Sequence, residues 1–590
     1  MKIVVLAKQV PDSTEITVDK ATGTLVRDGV PSIINPDDLA GLEAALELKD
    51  KSDDVVVEVL SMGPPQAAGM LQEAIARGAD KAYLLTDRRL GGADTCATSR
   101  TLAAALEKIG YDLIIAGRQA IDGDTAQVGP QTAERLNLPQ VTYVDEIMEI
   151  APDHVKVKKS LEEESQIISV KLPAVITTLS GMNKPRYMNC NDIVDSFNNP
   201  VEILTYDDLA ADLPMETIGL AGSPTQVFRT FTKERIVMAT FPDYKDIYVF
   251  VEQKNSQPAE VGYELISKAR ELVDGSPELG YKVVGVLLGE NVKEKAKDVI
   301  AHGADKVIVI DDPKLKDYST QFYTDALTQL IEEFKPSSLL TGATVLGRDL
   351  APRVAARINA GLTADATAIE IGKDVKLNSR NGVREIPNED ALLLVTRPTF
   401  GGNLFGTIVC PDTRPQMATI RPKVFDLAKP DPNRTGEVVE FAPKWTEETP
   451  LVVVEGILPK EVAGVDITKC EILVGAGRGA EGALDLVEEL ASLLGGEVAA
   501  TRAAVEDGFI AKERQVGQTG KTVRPSLYIA CGISGAVQHV AGMEKSDYII
   551  AINRDPEAEI FKIANQGYVG TVESVLPALI AEIKNIKASR

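Results

Sequence analysis

Short runs rich in Val, Ile and Leu alternate with helix-length stretches along most of this chain. Near the N-terminus the runs fall at 2–7, 55–61, 82–86 and 112–116, and helical stretches at 65–77, 94–109 and 126–137. Runs that are apolar throughout suit strands buried on both faces. The pattern therefore predicts a parallel sheet covered by helices on both sides. The last third has further runs at 470–474, 526–531 and 548–552, punctuated by glycine turns. These turns are Val474-Gly475-Ala476-Gly477-Arg478-Gly479, Gln515-Val516-Gly517-Gln518-Thr519-Gly520 and Gly532-Ile533-Ser534-Gly535-Ala536-Val537-Gln538-His539. Glycine at a strand end permits positive φ or close approach of the backbone to a ligand. N–H groups opening the next helix favour an anionic phosphate. A nucleotide site is expected there.

Residues 2–145 and 245–370 read as two copies of one unit. Gly78-Ala79-Asp80-Lys81 recurs as Gly303-Ala304-Asp305-Lys306, and Gly117 as Gly342, both displaced by 225 positions. Ala133, Arg135 and Asn137 match Ala355, Arg357 and Asn359 at a displacement of 222, so the loop between is three residues longer in the first copy. Ligands of such folds sit at the carboxyl ends of strands. In the first copy those ends carry Lys8 to Asp12, Ser61-Met62-Gly63-Pro64, Gly91-Gly92-Ala93-Asp94-Thr95 and Gly117 to Thr125. The second copy has the plainer Glu252-Gln253, Leu288-Gly289, Asp311-Asp312 and Gly342-Ala343-Thr344. The first copy is expected to hold a nucleotide and the second to be mainly scaffold. The fold class is α/β: two related parallel-sheet nucleotide-binding-type domains plus a Rossmann-like one. The expected boundaries are 1–197, an arm and linker at 198–243, 244–426, a second linker at 427–450, and 451–590.

Composition removes other classes. The net charge of −24 argues against nucleic acid and anionic membrane as partners. The five cysteines form no C-x-x-C pair, so free thiols are expected and no metal site. Met1 to Lys8 reads as a first strand and not a leader, and no apolar run reaches ~18 residues. A cytoplasmic, soluble protein without membrane insertion is expected. There is no P-loop and no G-x-S-x-G elbow. His154 and His302 read as structural, whereas His539 lies among the glycine turns.

Four segments carry a resemblance: Thr501-Arg502-Ala503-Ala504-Val505, Gln515 to Lys521, Gly532 to Met543, and Ile552-Asn553-Arg554-Asp555-Pro556. With them the chain resembles an electron transfer flavoprotein whose two subunits are fused, the β subunit over 1–240 and the α subunit over 244–590. The resemblance implies an FAD in the last domain. It places Arg502 against the isoalloxazine, Thr519 near flavin N5 with Gln518 beside it, and His539 at the N1/C2 carbonyl edge. Ser534 and Gln538 would hold ribityl and pyrophosphate, and Asn553 the adenosine end. Arg478, Gly479, Gln515, Gly517, Gly532, Gly535 and Asp555 complete this expected site. The family often has an acid at the ribose, where this chain has Thr571.

In the β-like part, simple carriers of the family hold AMP, whereas bifurcating members hold a second FAD that takes hydride from NADH. Gly91 to Thr95, Gly123 to Gln131 and Thr413-Arg414-Pro415-Gln416-Met417-Ala418-Thr419 resemble the bifurcating group. The expected FAD or AMP site comprises Ala7, Lys8, Asn35, Ser61, Gly63, Asp94, Thr95, Gly117, Gly123, Asp124, Thr125, Ala126, Gln127, Val128 and Gly129. The implied partners are an acyl-CoA dehydrogenase-like flavoprotein and a ferredoxin or flavodoxin. The implied dehydrogenase-docking segment contains Pro185, Arg186, Tyr187, Met188 and Ile193, with Cys190 where the family has a leucine. The alternative is a carrier with one FAD and one AMP.

Overall fold

The apolar runs of the first copy form strands because both their faces are covered. In the first strand, Ile3 and Val5 pack with Val57, Leu42 and Leu46 on one side, while Val4 and Leu6 pack with Leu102 and Leu106 on the other. This computed structural model describes residues 1–11, 32–209, 211, 213–227, 241–379, 382–399, 404–445, 450–459, 466–517 and 520–589. They divide into two units, Met1–Phe400 with Phe405–Pro459, and Lys460–Arg590 with Gly401–Leu404.

Repeat one consists of β1 (Lys2–Leu6), α1 (Pro36–Lys49), β2 (Val56–Met62), α2 (Ala68–Ala76), β3 (Lys81–Leu85), α3 (Thr95–Ile109), β4 (Leu113–Gly117), α4 (Val128–Arg135), β5 (Gln140–Ile150), β6 (His154–Ser160), β7 (Glu164–Lys171), β8 (Ala174–Thr178) and β9 (Glu202–Leu204). Repeat two consists of β10 (Lys245–Val251), α5 (Glu260–Asp274), β11 (Val283–Gly289), α6 (Ala296–Ala301), β12 (Lys306–Asp311), α7 (Thr320–Phe334), β13 (Pro336–Gly342), α8 (Val345–Arg357), β14 (Leu362–Ala366), β15 (Gln416–Ile420) and β16 (Glu437–Glu440). The first sheet runs β9-β3-β2-β1-β4-β8-β5, parallel throughout, and extends antiparallel through β6, β7 and β17 (Val452–Pro459). The second runs β16-β12-β11-β10-β13-β15-β14, also parallel, matching the first strand for strand.

The match extends to single dihedrals. Asn137 and Asn359 have φ of 52° and 55°, Gly78 and Gly303 of 124° and 128°, and Tyr143 and Asp365 of 59° and 56°. The last pair marks an equivalent register slip in β5 and β14. Helices α4 and α8 pack on each other, and contacts across them follow a pseudo-two-fold. Gln127 Nε2 donates to the Leu362 carbonyl at 3.1 Å, and in the mirrored relation Gln140 Nε2 donates to the Asp349 carbonyl at 3.2 Å. Arg353 and Arg357 both pair with Glu134, at 2.7 and 2.6 Å. Asp349, fully buried, accepts from Thr142, Tyr318 and Thr320 hydroxyls.

Three expected boundaries need correction. The segment 198–243 is not wholly arm and linker, because Glu202–Leu204 pairs with β3 as an edge strand. Nor is 427–450 wholly linker, because Glu437–Glu440 pairs with β12 in the equivalent place. Val452–Pro459 pairs with β7 in the first sheet, so the last unit starts at about 460 and not 451. All three strands lie at sheet edges, and Glu202–Leu204 and Glu437–Glu440 are too short and polar for their own patterns to make them strands.

The second unit is one five-stranded parallel sheet. It contains β18 (Ile472–Ala476), α9 (Leu484–Leu494), β19 (Glu497–Ala500), α10 (Arg502–Glu506), β20 (Leu527–Cys531), α11 (Val537–Val540), β21 (Ile549–Asn553), β22 (Gln566–Val569) and α12 (Val572–Ser589). The order β19-β18-β20-β21-β22 reverses direction between β18 and β20, where a ligand crevice forms in such sheets. Val487, Leu490, Leu576 and Ile580 of α9 and α12 cover one face. Ile467, Val516, Val523 and Met543 from the connections cover the other.

Candidate functional site

At the carboxyl ends of β1, β2 and β4 lies a cavity of about 960 Å³. Thirteen of the fifteen residues expected there line it: Ala7 and Lys8 after β1, Ser61 on β2 and Gly63 just after it, Asp94 and Thr95 at α3, Gly117 on β4, and Gly123 with Thr125 to Gly129 before and within α4. Asn35 and Asp124 do not line it. Asn35 is fully buried; its Nδ2 donates to the Gln119 carbonyl at 2.9 Å and its Oδ1 accepts from Ile121 N–H at 3.1 Å. It shapes the loop instead of presenting a polar edge. Asp124 holds φ of 48° and accepts from Gln119 Nε2 at 3.1 Å; burial pushes its carboxyl up to about 6. Non-glycine residues at positive φ store strain that surrounding contacts must hold, and here Asp124 and Ala126 (φ 53°) are neighbours in the site loop.

The floor is set by Asp38. Its carboxylate accepts from the N–H groups of Lys8 (2.8 Å) and Gly117 (2.9 Å), tying the ends of β1 and β4 together. Burial raises Asp38 to about 7. A Cβ on Gly117 would lie 2.1 Å from Asp38 Oδ1, so that glycine serves a carboxylate of the protein. Asp94 is likewise occupied, capping α3 through Ala97 N–H (3.0 Å) and accepting from Thr225 N–H (3.0 Å) and hydroxyl (2.7 Å). Lys8 Nζ pairs with Asp122 at 2.6 Å. By contrast, the Ser61 hydroxyl is buried with no partner.

Sequence reasoning missed the far wall, which comes from repeat two: Thr363, Leu362 and Ala364 of β14, with Arg397 and Ile408. Arg397 Nη2 donates to the carbonyls of Gly123 (2.8 Å) and Asp124 (2.9 Å), and its buried Nε has no hydrogen-bond partner. No spacing rule connects positions so far apart; only the pairing of the two repeats does. The Thr413–Thr419 motif lies elsewhere, entering the buried strand β15, where Gln416 bonds Leu393 N–H and the Ala391 carbonyl at 2.8 and 3.0 Å.

Repeat two differs at the equivalent strand end. Ile3 pairs with Leu113 and Ile247 with Ser338, so Glu252 stands where repeat one has Lys8. Its buried carboxyl shares hydrogen bonds of 2.9 and 2.8 Å with the Thr344 hydroxyl, and burial raises it to about 8.

In the second unit the glycine turns meet each other. Gly477 N–H donates to the Cys531 carbonyl at 2.9 Å and Gly479 N–H to the Gly532 carbonyl at 3.2 Å. A Cβ on Gly477 would lie 2.3 Å from the Gly532 carbonyl oxygen, and one on Gly535 (φ 90°) 2.2 Å from the Ile560 nitrogen. Close packing of β18 to β20 is thus the first demand on these glycines. Gly517 (φ 141°) abuts the Gln538 carbonyl in the same way, beside the buried Gln515. Around the crevice stand exposed side chains. Arg478 pairs with Asp507 at 3.1 Å, and Arg502, at the start of α10, pairs with Glu506 at 2.7 Å. Ser534 is exposed and Gln538 half-buried. Asn553 Nδ2 donates to the Ile533 carbonyl at 2.8 Å, and Asp555 accepts from Glu557 N–H at 3.0 Å, so both brace turns. Gln518 and Thr519 lie outside the described residues.

His539 lies inside the unit. The ring is buried, Nδ1 donates to the Val516 carbonyl at 3.0 Å, and Nε2 accepts from the Tyr528 hydroxyl at 3.1 Å. Burial lowers it to about 4, so it is neutral with both nitrogens engaged inside the unit.

The segment after Pro185 is exposed. Arg186 anchors it on Glu43 and Asp50, at 3.0 and 2.7 Å. Beyond it Tyr187 is 88 % exposed, and the helix Cys190–Ser196 presents Ile193 and Val194, with Phe197 next to it.

The electron transfer flavoprotein domain profile matches residues 22–209 and again 247–445, the two repeats. The electron transfer flavoprotein FAD-binding domain profile matches 466–544 in the second unit. The chain belongs to the electron transfer flavoprotein family. Both of its subunit types are present in one polypeptide. The α subunit of Thermoanaerobacterium thermosaccharolyticum is 47 % identical over 58 % of this chain and 99 % of its own. The β subunit of Clostridium acetobutylicum is 53 % identical over 40 % of this chain and 89 % of its own. A subunit of the lactate dehydrogenase (NAD(+),ferredoxin) of Acetobacterium woodii is 42 % identical over 58 % of this chain and 77 % of its own. FAD is accordingly a cofactor of this electron transfer flavoprotein. Among the described residues no helix is long and apolar enough to cross a membrane.

Proposed function

We propose that this electron transfer flavoprotein is of the bifurcating kind. It would take hydride from NADH at the repeat-one cavity and divide the electron pair. One electron would go to a ferredoxin- or flavodoxin-type acceptor, the other through the C-terminal FAD domain to an acyl-CoA dehydrogenase-like flavoprotein. The observation that carries this reading is the cavity itself. At about 960 Å³ it stands at the upper end of the ~300–1,000 Å³ typical of small-molecule sites, and it reaches past the strand ends of repeat one to a wall from repeat two. The lactate dehydrogenase (NAD(+),ferredoxin) relative supports the choice of nicotinamide and ferredoxin.

The residues fit an FAD in the cavity. When bound there, FAD would supply hydride acceptance and release of electrons one at a time. Ala7 and Gly63 put little side-chain bulk at the strand ends. The Ser61 hydroxyl and Arg397 Nε are buried polar groups without protein partners, and such groups call for a ligand or water. Arg397 and Lys8 set positive charge in a site that must tolerate a reduced, anionic ring. In the C-terminal unit Arg478 and Arg502 would serve the same purpose at the β18/β20 crevice. Tyr187, Ile193, Val194 and Phe197 form the apolar patch proposed to dock the dehydrogenase; Pro185 and Met188 belong to the same segment.

Cofactor release by denaturation tests the reading. About two FAD and no AMP per chain is expected. One FAD with one AMP would reduce the protein to a simple carrier.

A further inference from the structure

Helices α3 and α7 hold the same place in the two repeats. Both are 15 residues long, and their first residues, Thr95 and Thr320, stand at the 225-position displacement of the repeat. Arg100 is therefore the counterpart of Asp325, as Arg135 at the end of α4 is of Arg357. In repeat two, Arg357 has two carboxylates: Asp325 of its own repeat at 2.5 Å, and Glu134 across the pseudo-two-fold at 2.6 Å. Repeat one has a carboxylate at neither place. Arg100 replaces Asp325, and Ala356 replaces Glu134, each of the latter two lying one residue before an arginine of the pair.

Arg135 instead shares one neutral acceptor with a second cation. Asn359 Oδ1, from the end of α8, accepts from Arg100 Nη2 and from Arg135 Nη1, both at 2.8 Å. The remaining nitrogens are poorly served. Arg135 Nη2 donates to the Cys96 sulfur at 3.4 Å, and Arg135 Nε is buried with no partner. Arg100 Nη1 reaches the Thr217 and Gly222 carbonyls at 3.5 and 3.4 Å. Among the described residues, every hydrogen bond of the two guanidiniums thus ends on a neutral acceptor. Glu134, next to Arg135 in the chain, is taken by Arg353 and Arg357. Burial, reinforced by the charge of Arg100, lowers Arg135 from the ordinary guanidinium value. Two half-buried like charges without a counter-ion are costly, and an unpartnered buried N–H adds to that cost. In a chain of net charge −24 a carboxylate-free arginine pair is not a by-product of composition.

We propose that Arg100, Arg135 and Asn359 form an oxyanion site that takes a phosphate group where repeat two uses the carboxylates of Asp325 and Glu134. The planar guanidinium fork matches such an oxyanion with paired charge-assisted hydrogen bonds. Asn359 is exposed, so its amide can turn and offer Nδ2 as a further donor. The bound anion would tie α3 and α4 of repeat one to the end of α8 in repeat two. A ligand would thereby do on one side of the pseudo-two-fold what ion pairs do on the other. None of the three residues lines the large cavity, so the site stands apart from it, whatever nucleotide that cavity holds.

Equilibrium dialysis of radiolabelled inorganic phosphate against the flavin-loaded, full-length protein tests this, with ionic strength held constant by chloride. Arg100→Asp gives repeat one the charge arrangement of repeat two and should weaken one phosphate site by about tenfold or more. Phosphate held at a flavin site would bind both proteins equally, so the difference isolates this site. Arg100→Lys keeps the charge without the fork and should fall in between. Stability is a second readout. Phosphate should raise the urea midpoint of the 1–459 unit in the parent and leave Arg100→Asp unmoved, while in chloride alone Arg100→Asp should be at least as stable as the parent. Unlabelled AMP added in competition decides the source of the phosphate group: displacement assigns a nucleotide, and no displacement assigns free phosphate. Equal phosphate binding in the parent and Arg100→Asp, or none in the parent at millimolar phosphate, would overturn the proposal. Arg100→Gln serves the same comparison if Arg100→Asp does not fold.

Discussion

At the scale of single residues, two glycines read from the sequence as a shared motif prove to share a physical role. Gly117 and Gly342 each make room for a buried carboxyl, Asp38 from α1 in one repeat and Glu252 from a strand end in the other. Glu252 also ties stability to pH. Its folded value of about 8 lies above the usual 4.5, so ionising it disfavours the folded state. Its contribution is most favourable below about pH 4.5 and is lost as pH rises toward 8. Glu252→Gln should flatten that decline and leave the protein about 1 kcal/mol or more stabler than the parent at pH 8.5, relative to pH 5, by urea unfolding. Arg502 offers a second residue-level prediction. Glu506 partly neutralises it, at 2.7 Å. Arg502→Ala should lower the reduction potential of the C-terminal flavin by roughly 20–40 mV, and Glu506→Gln should raise it, the size of a partly exposed charge interaction. A redox titration with no change in either variant would place the flavin away from Arg502. The sequence made Arg502 legible through its motif. Nothing in the sequence reveals that Tyr528 and the Val516 carbonyl take both ring nitrogens of His539.

At the scale of elements, legibility followed burial. The strands covered on both faces, such as Lys2–Leu6 and Leu113–Gly117, announced themselves as continuous apolar runs. The edge strands Glu202–Leu204 and Glu437–Glu440 did not, because one side carries polar residues and pairing with β3 and β12 decides their conformation. The long cavity loop was visible as a three-residue insertion, but its strain at Asp124 and Ala126 and its brace on Arg397 needed the other repeat in place. The glycine turns of the second unit were located by sequence and explained by contact. With the Gly532 carbonyl oxygen 2.3 Å from where a Gly477 Cβ would sit, Gly477→Ala must push β18 from β20. A loss of about 1–3 kcal/mol is expected in that unit, together with weaker FAD retention, measured by denaturant unfolding and by flavin absorbance after gel filtration.

At the scale of the whole molecule, two separate hydrophobic systems predict two cooperative transitions. Calorimetry should resolve one for the 1–459 unit and one for the 460–590 unit. Glu252→Gln should shift only the first and Gly477→Ala only the second; a single merged shift in both variants would mean that the units unfold as one. Within the larger unit, strand β17 has a further consequence. It follows repeat two in the chain, yet completes the sheet of repeat one by pairing antiparallel with β7. The polypeptide is in effect an arm-exchanged heterodimer with a covalent leash between its partners. Cutting that leash would take away proximity and leave the exchanged strand in place, so the halves can live on separate genes or on one without redesign of the contact that joins them.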